Sequence, residues 1–297
     1  MIELRRAETD TDLEAWRHVK QRVLPGERAP TVEELRAQVG RLFLVAELDG
    51  ELAGSGIAGP SDAAGRGFVA PRVLQEHRRR GLGTALLFEL ADHCVGLGFA
   101  NAGSLVDGAD IGSVAFAERF GFEEQRRDVE QVRFIGAEGP SPSPPAHIEI
   151  VAVAERPGLL SEAYELATEG YADMAVAEEI QISLEQWLRE EATLPEASFL
   201  ALSDGEVVGY AGLLRWPDDP ARAEHGLTVV RRAWRGRGIA PALKRRQIAW
   251  AAANGLRELV TWTQRGNENM RRVNERLGYE YRGVSLAMSA SLPLPRR

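Results

Sequence analysis

The sequence contains very little cysteine. Cys94 is its single cysteine, so no disulfide bond can form within the chain. It lies in an apolar segment with a helical pattern, and we expect it to be a small core residue rather than a nucleophile. The histidines do not have the spacing of metal ligands, so the sequence predicts no metal site.

Long hydrophobic runs are missing too. The longest apolar stretches fall far short of the roughly 20 residues that a membrane-spanning helix needs. The residues after Met1 alternate like a strand and contain no apolar core of a signal peptide. We therefore expect a soluble, cytoplasmic protein without a membrane partner.

The sequence also lacks an excess of positive charge. Its 36 Lys and Arg residues against 44 Asp and Glu residues give a net charge of −8. A general nucleic-acid binder normally carries a basic face, so this balance argues against a nucleic-acid partner. The same balance is compatible with a small cationic amine as the partner.

What remains is the composition of an ordinary globular protein. Hydrophobic residues make up 44% and charged residues 27% of the chain, which excludes a disordered or fibrous class. The 297 residues are enough for two domains of about 150 residues each.

A proline-rich segment, residues 137–147, separates two halves that repeat one another. Residues 44–54 alternate in hydrophobicity around an Asp-Gly pair, which predicts a hairpin. Residues 199–209 follow the same pattern. Each half continues with a strand, a glycine-rich loop and an apolar helix.

The spacing of the repeat is constant. Gly81 and Gly238, each in front of a helical pattern, lie 157 positions apart. Gly121 and Gly278, each followed by an aromatic residue, are also 157 positions apart. Landmarks in one order at one spacing indicate an internal duplication. The predicted parts are a first domain over residues 1–136, a linker over 137–147 and a second domain over 148–297.

The order of elements is the same in both halves. It reads strand, helical region, hairpin, strand, glycine-rich loop, helix, strand, helix and final strand. This order predicts the α/β fold class, a mixed sheet with flanking helices, in two tandem domains.

The two glycine-rich loops are predicted to bind phosphate groups. Glycines between a strand and a helix let several backbone N–H groups point at one place, and the helix N-terminus adds a partial positive charge. Arg78, Arg80, Arg235 and Arg237 flank the loops and are suited to pair with phosphates.

Both loops have one pattern, Arg78-x-x-Gly81-x-Gly83 and Arg235-x-x-Gly238-x-Ala240. This pattern resembles the acyl-CoA loop of the GNAT superfamily, Gln/Arg-x-x-Gly-x-Gly/Ala. The resemblance covers nearly the whole chain and implies acetyl-CoA, or another acyl-CoA, as the cofactor. The residues that it implies for cofactor binding are Val73, Leu74, Arg78, Arg80, Gly81, Leu82, Gly83 and Thr84 in the first half, and Val229, Val230, Arg235, Arg237, Gly238, Ile239, Ala240 and Asn267 in the second.

A dinucleotide-binding loop is the rival interpretation of the glycines. Residues 54–59 fit the pattern G-x-G-x-x-G. That motif requires a helix directly after it, and here Pro60 and a further loop follow. The sequence therefore disfavours a dinucleotide site.

The resemblance also implies which residue is the catalytic base and which half of the chain is catalytic. Catalysis in this family uses a base, often a strand carboxylate acting through water, and a backbone N–H that stabilises the oxyanion. Glu224, on the strand before the second loop, is the predicted base, with His225 as its substitute. The alternative is that Glu224 is a solvated strand-end carboxylate. The matching strand of the first half, residues 68–74, has no carboxylate, and Asp110 replaces the pantetheine-binding Asn267. We expect the second half to be catalytic.

The sequence departs from the family at the group that protonates the CoA thiolate. Many members have a tyrosine there, but this chain has Ala117 in the first half and Asn274 in the second. Asn274 could orient a water or the thiolate; alternatively it makes only a helix hydrogen bond and the thiolate leaves unassisted. Thr84 offers phosphate an N–H and a hydroxyl, whereas its counterpart Pro241 has no N–H, which favours the first loop as the tighter CoA site.

The predicted function is acetyl-CoA-dependent N-acetylation of a small-molecule amine. The alternatives are a catalytically silent acyl-CoA sensor or scaffold, and an aminoacyl or other unusual acyl transferase. In this family the helical region after the first strand walls the acceptor site. Its candidate lining residues in the second half are Tyr164, Tyr171, Met174 and Trp187, for which core packing is the alternative role.

Overall fold

The computed structural model describes residues 1–61, 65–139, 141–173, 180 and 182–296. The chain forms two compact units, each made of a sheet covered by helices. The first unit consists of Met1–Arg127 and Ser285–Arg297, and the second of Asp128–Val284. None of the helices within the described ranges is long and apolar enough to cross a membrane.

The first unit is built on a six-stranded sheet. Its strands are β1 (Ile2–Arg6), β2 (Leu42–Leu48), β3 (Glu51–Pro60), β4 (Gly67–Val73), β5 (Asn101–Asp107) and the part of β12 (Glu280–Ser291) that begins at Ser285, in the order β1-β2-β3-β4-β5-β12. Its helices are α1 (Asp10–Val23), α2 (Val32–Arg36), α3 (Leu82–Gly96) and α4 (Ile111–Arg119).

The second unit repeats this plan. Its strands are the part of β6 (Glu123–Phe134) that begins at Asp128, β7 (Glu149–Ala152), β8 (Phe199–Ser203), β9 (Glu206–Arg215), β10 (Arg222–Val230) and β11 (Glu258–Gln264), in the order β6-β11-β10-β9-β8-β7. Its helices are α5 (Leu160–Ala172), α6 (Leu184–Glu190), α7 (Ile239–Ala253) and α8 (Glu268–Arg276). This architecture confirms the predicted α/β fold class with two tandem domains.

Local sequence signals explain several of the element boundaries. Thr9 is the N-cap of α1 and forms a capping box. Its side chain accepts a hydrogen bond from the backbone N–H of Asp12, and the Asp12 carboxylate accepts one from the backbone N–H of Thr9. The two predicted hairpins are confirmed as β2–β3 and β8–β9. Asp49 and Gly50 have φ of 55° and 86°, and the pair of the other hairpin has 51° and 87°, which is the left-handed geometry of the tight Asp-Gly turn.

The final strands of the two repeats are exchanged. The β12 residues 285–291 pair with β5 in the first unit, and the β6 residues 128–134 pair with β11 in the second. The compact units therefore differ from a linear division of the chain at residues 137–147. Because the two final strands are equivalent members of a repeat, either sheet can satisfy the backbone hydrogen bonds of either strand, and a one-dimensional pattern does not reveal the partner.

Each sheet opens at a parallel pair of strands. In the first unit β4 pairs with β5 through Gly67 and Phe68, and in the second unit β10 pairs with β11 from Arg222 to Glu224. Both β4 and β10 continue well beyond these residues. The gap that opens between each pair of strands is the place where each unit has a cavity.

Candidate active site

The larger of the two cavities belongs to the second unit and has a volume of about 790 Å³. It is lined by residues 227–230 of β10, by the glycine-rich loop before α7 and by one side of α8. The parallel ladder between β10 and β11 has ended at Glu224. The edge of β10 that faces β11 therefore has backbone groups that a ligand can bind in place of a neighbouring strand.

The glycine-rich loop exposes the N-terminus of α7. Gly236 and Gly238 have φ of 77° and 80°, a left-handed conformation that residues with a side chain rarely adopt. Gly238 is the N-cap of α7, and none of the side chains in the described part of the chain caps this helix. Its first N–H groups are thus free to bind an anion, except at Pro241, which has no N–H.

The arginines of this loop have different environments. Arg235 lines the cavity, donates from Nε to the Val230 carbonyl at 2.9 Å and pairs with Asp173 at 2.6 Å. Arg232 and Arg235 lower the pKa of Asp173 to about 2. Arg237 instead stacks on the ring of Trp234, 4.6 Å from its centroid.

The structure brings together most of the residues predicted to bind the cofactor in the second half. Those that line the cavity are Val229, Val230, Arg235, Gly238, Ile239, Ala240 and Asn267; Arg237 is not among its lining residues. Asn267 also caps α8, because its side-chain oxygen accepts from the N–H of Met270 at 3.3 Å.

The two residues predicted to be catalytic lie outside the cavity lining that the structure describes. Asn274 is completely buried, and its Nδ2 donates to Gln131 Oε1 at 2.9 Å and to Thr263 Oγ1 at 3.4 Å. Glu224 is partly buried at the last paired position of the β10–β11 ladder.

His225, the predicted substitute base, is buried on β10. Its Nε2 contacts the hydroxyl of Tyr279. Burial, and then the charge of Lys244, lower the pKa of His225 well below its ordinary value. The imidazole therefore stays neutral, but it is not among the residues that line the described cavity.

The sequence analysis missed Glu191, which follows α6. Its Oε2 accepts from the hydroxyl of Tyr210 at 3.2 Å, and its Oε1 contacts the N–H of Leu227 at 3.4 Å. Burial raises the pKa of Glu191 to about 7. Leu227 lines the cavity, whereas Glu191 itself is not among the described lining residues and contacts the cavity through Leu227.

Two glycines make room for this carboxyl group. A Cβ at Gly212 or at Gly226 would lie 2.5 Å from Glu191 Oε2. Gly226 lies on β10 where the register shifts between His225 and Thr228, as in a β-bulge. Glycine inside a strand is the sequence signal of a bulge or a close approach, and it was the one available pointer to this site.

The first unit has a smaller cavity of about 290 Å³ between β4 and β5. Of the cofactor-binding residues predicted in this half, Arg78 alone is among the described lining residues, and it pairs with Asp110 at 2.9 Å. Arg80 pairs with Asp49 at 2.9 Å. The N-cap of α3, Gly81, has φ of 86°, so the loop itself resembles the one before α7.

The predicted acceptor-wall residues contribute to the core of the second unit. Tyr164 donates to the Ile182 carbonyl at 2.7 Å and packs against Trp187, whose ring also contacts Tyr210. Tyr171 packs against the same cluster. Met174 lies outside the described residues.

Comparison with known proteins identifies the family. Residues 3–122 and 160–279 each match the acetyltransferase (GNAT) family. No curated protein matches the chain by sequence.

Solved structures share the fold. A tandem GNAT protein from the clavulanic acid biosynthesis pathway is 21% identical, with a TM-score of 0.79 over 100% of both chains. A GCN5-related N-acetyltransferase from Sphaerobacter thermophilus is 21% identical, with a TM-score of 0.75 over 100% of this chain and 97% of that one. Another, from Kribbella flavida, is 18% identical, with a TM-score of 0.52 over 81% of this chain and 88% of that one. With two matches that together cover most of its length, the chain belongs to the GNAT family of acetyltransferases and is a tandem acyltransferase of that family.

Proposed function

We propose that the second unit transfers an acetyl group from acetyl-CoA to the amine of a small molecule. The observation that carries this proposal is a cavity that combines an open parallel ladder with an uncapped helix N-terminus, with a partly buried carboxyl group in contact with one of its lining residues. These are the groups needed to bind an extended amide chain, to bind a pyrophosphate and to accept a proton.

The residues around the cavity fit an acyl-CoA. The N–H groups at the start of α7 and the guanidinium of Arg235 would bind the phosphates. The open edge of β10 at Val229 and Val230 and the side chain of Asn267 would bind the pantetheine amides. A backbone N–H of β10 at the bulge would stabilise the oxyanion that develops on the transferred group.

We assign to Glu191 the role of the general base that accepts the proton of the acceptor ammonium. A general base is most effective when its pKa is near the working pH, and burial has raised the pKa of Glu191 to about 7. Glu224, the base predicted from the sequence, is the competing assignment. Parallel Glu→Gln substitutions at both positions separate the two.

The thiolate is proposed to leave without a side-chain acid. A thiol has a pKa of about 8.5, so its thiolate is a far better leaving group than an amine. Asn274, the residue at the position of the family's tyrosine, is held by hydrogen bonds to Gln131 and Thr263.

The test compares Gly238→Val with its counterpart in the first unit, Gly81→Val. The two are well matched, because both glycines are helix N-caps with φ near 80° and a Cβ at either position would meet a neighbour at an ordinary distance. We expect Gly238→Val to abolish CoA release in the presence of an amine panel and to remove one acetyl-CoA site in calorimetry, while Gly81→Val keeps turnover.

Other outcomes would assign the chain differently. Acetyl-CoA binding without turnover on any amine would support the silent sensor or scaffold. Loss of turnover with Gly81→Val, and not with Gly238→Val, would place the chemistry in the first unit and overturn the proposal.

A further inference from the structure

The cavity of the first unit contains a cationic group that the acyl-transfer chemistry does not use. Arg72, on β4, lines this cavity together with the aromatic residues Phe68, Phe116 and Phe122. Its guanidinium carbon lies 5.1 Å from the centroid of the Trp16 ring. Its Nε and Nη1 are buried, and neither has a hydrogen-bond partner among the described residues.

A guanidinium in this position is costly without an anion. Burial lowers the pKa of Arg72 to about 10, so the group keeps its charge at neutral pH. A buried charge is normally paired and hydrogen-bonded, because desolvation penalises it strongly otherwise. An external anion would supply such a partner.

The other charged groups of the cavity are already paired. Lys20 Nζ lies 3.3 Å from Glu27, whose charge also faces Arg72 without a hydrogen bond to it. Arg78 pairs with Asp110 at 2.9 Å. The carboxylate of Asp107 accepts from the N–H of Ala109 at 2.9 Å.

The corresponding place in the second unit is apolar. Arg72 and Val229 are 157 positions apart, the period of the repeat, and Val229 lines the acyl-CoA cavity. Pantetheine and a thioester carry no charge, so neither can compensate the guanidinium of Arg72. At this position the first cavity therefore has a cationic group where the second has an apolar one.

We propose that the first unit binds a small monocarboxylate with an apolar body, whose carboxylate pairs with the guanidinium of Arg72. The planar fork of a guanidinium matches a carboxylate in this geometry. The aromatic residues of the cavity pack on the apolar body. The nearby carboxylates of Glu27, Asp107 and Asp110 disfavour a dianion such as a phosphate monoester.

The test uses acetate, benzoate and 3-phenylpropionate with the full-length protein, each compared with its uncharged amide. We expect calorimetry to detect one site for at least one aromatic acid and none for its amide. Arg72→Gln should weaken that site about 10- to 100-fold, since it removes a charge-assisted hydrogen-bond pair. Arg6→Gln, at an exposed arginine of the same unit, is the control and should change nothing.

A second measurement does not depend on the choice of acid. Without ligand, Arg72→Met should raise the melting temperature, because it replaces an unpaired buried charge with an apolar side chain. Several outcomes would overturn the proposal: an amide that binds as well as its acid, three acids that all fail to bind, a lower melting temperature for Arg72→Met, or displacement of the acid by acetyl-CoA in the Gly238→Val protein.

Discussion

At the scale of single residues, two neighbouring glutamates differ in burial. Burial raises the pKa of Glu191 to about 7, whereas Glu190 is exposed. Since a base acts only when ionised, kcat/KM for acyl transfer should rise with pH through about 7. We predict that Glu191→Gln lowers kcat/KM near neutral pH by roughly 10²- to 10⁴-fold and removes this inflection. Initial rates over the pH range check this, with Glu190→Gln as the control.

The same group makes a separate contribution to stability. Between pH 4.5 and about 7 the folded carboxyl of Glu191 holds its proton while the unfolded one is ionised, so the free energy of unfolding decreases as pH rises through that window. Glu191→Gln removes this decrease, and the variant should therefore gain stability relative to the wild type over the same window.

If Glu224→Gln abolished activity while Glu191→Gln kept both the rate and the inflection of the pH profile, Glu224 would be the base.

At the scale of elements, α3 and α7 begin alike but have different numbers of hydrogen-bond donors for a phosphate. Gly81 and Gly238 are their N-caps, yet Thr84 in α3 is matched by Pro241 in α7. We predict that Pro241→Thr tightens acetyl-CoA binding by about 10-fold, because it adds an N–H and a hydroxyl beside the phosphates. Calorimetry checks this in the Gly81→Val background, which removes any contribution of the first loop. Unchanged affinity would show that this donor does not face the ligand.

At the scale of the whole molecule, the exchange of final strands predicts how a cleaved chain behaves. Protease is expected to cut first in the proline-rich linker near Ser141. The two fragments should nevertheless stay together, because residues 128–134 complete the sheet of the second unit and residues 285–291 that of the first, each through seven residue pairs. Size-exclusion chromatography should show the mass of the intact chain in buffer and about half that mass in denaturant. Separation in buffer alone would contradict the exchange.

The sequence by itself determined the repeat, the fold class, the hairpins and the glycine loops. These follow from local spacing: an Asp-Gly pair sets a tight turn, and glycine before an apolar helix sets a loop with free N–H groups. The cavity residues of the second half were predictable for the same reason, because they lie within the motif or at a fixed distance from it.

The tertiary structure alone decided which strand completes which sheet, and where the unusual charges lie. Glu191 is about 35 residues away in sequence from the β10 bulge that it contacts, and two strand glycines on β9 and β10 create its space. Arg72 reads in the sequence as one arginine among many; its burial beside Trp16 follows from how α1 packs on the sheet. The ionisation and pairing of such groups depend on desolvation, which arises only when distant parts of the chain exclude water together.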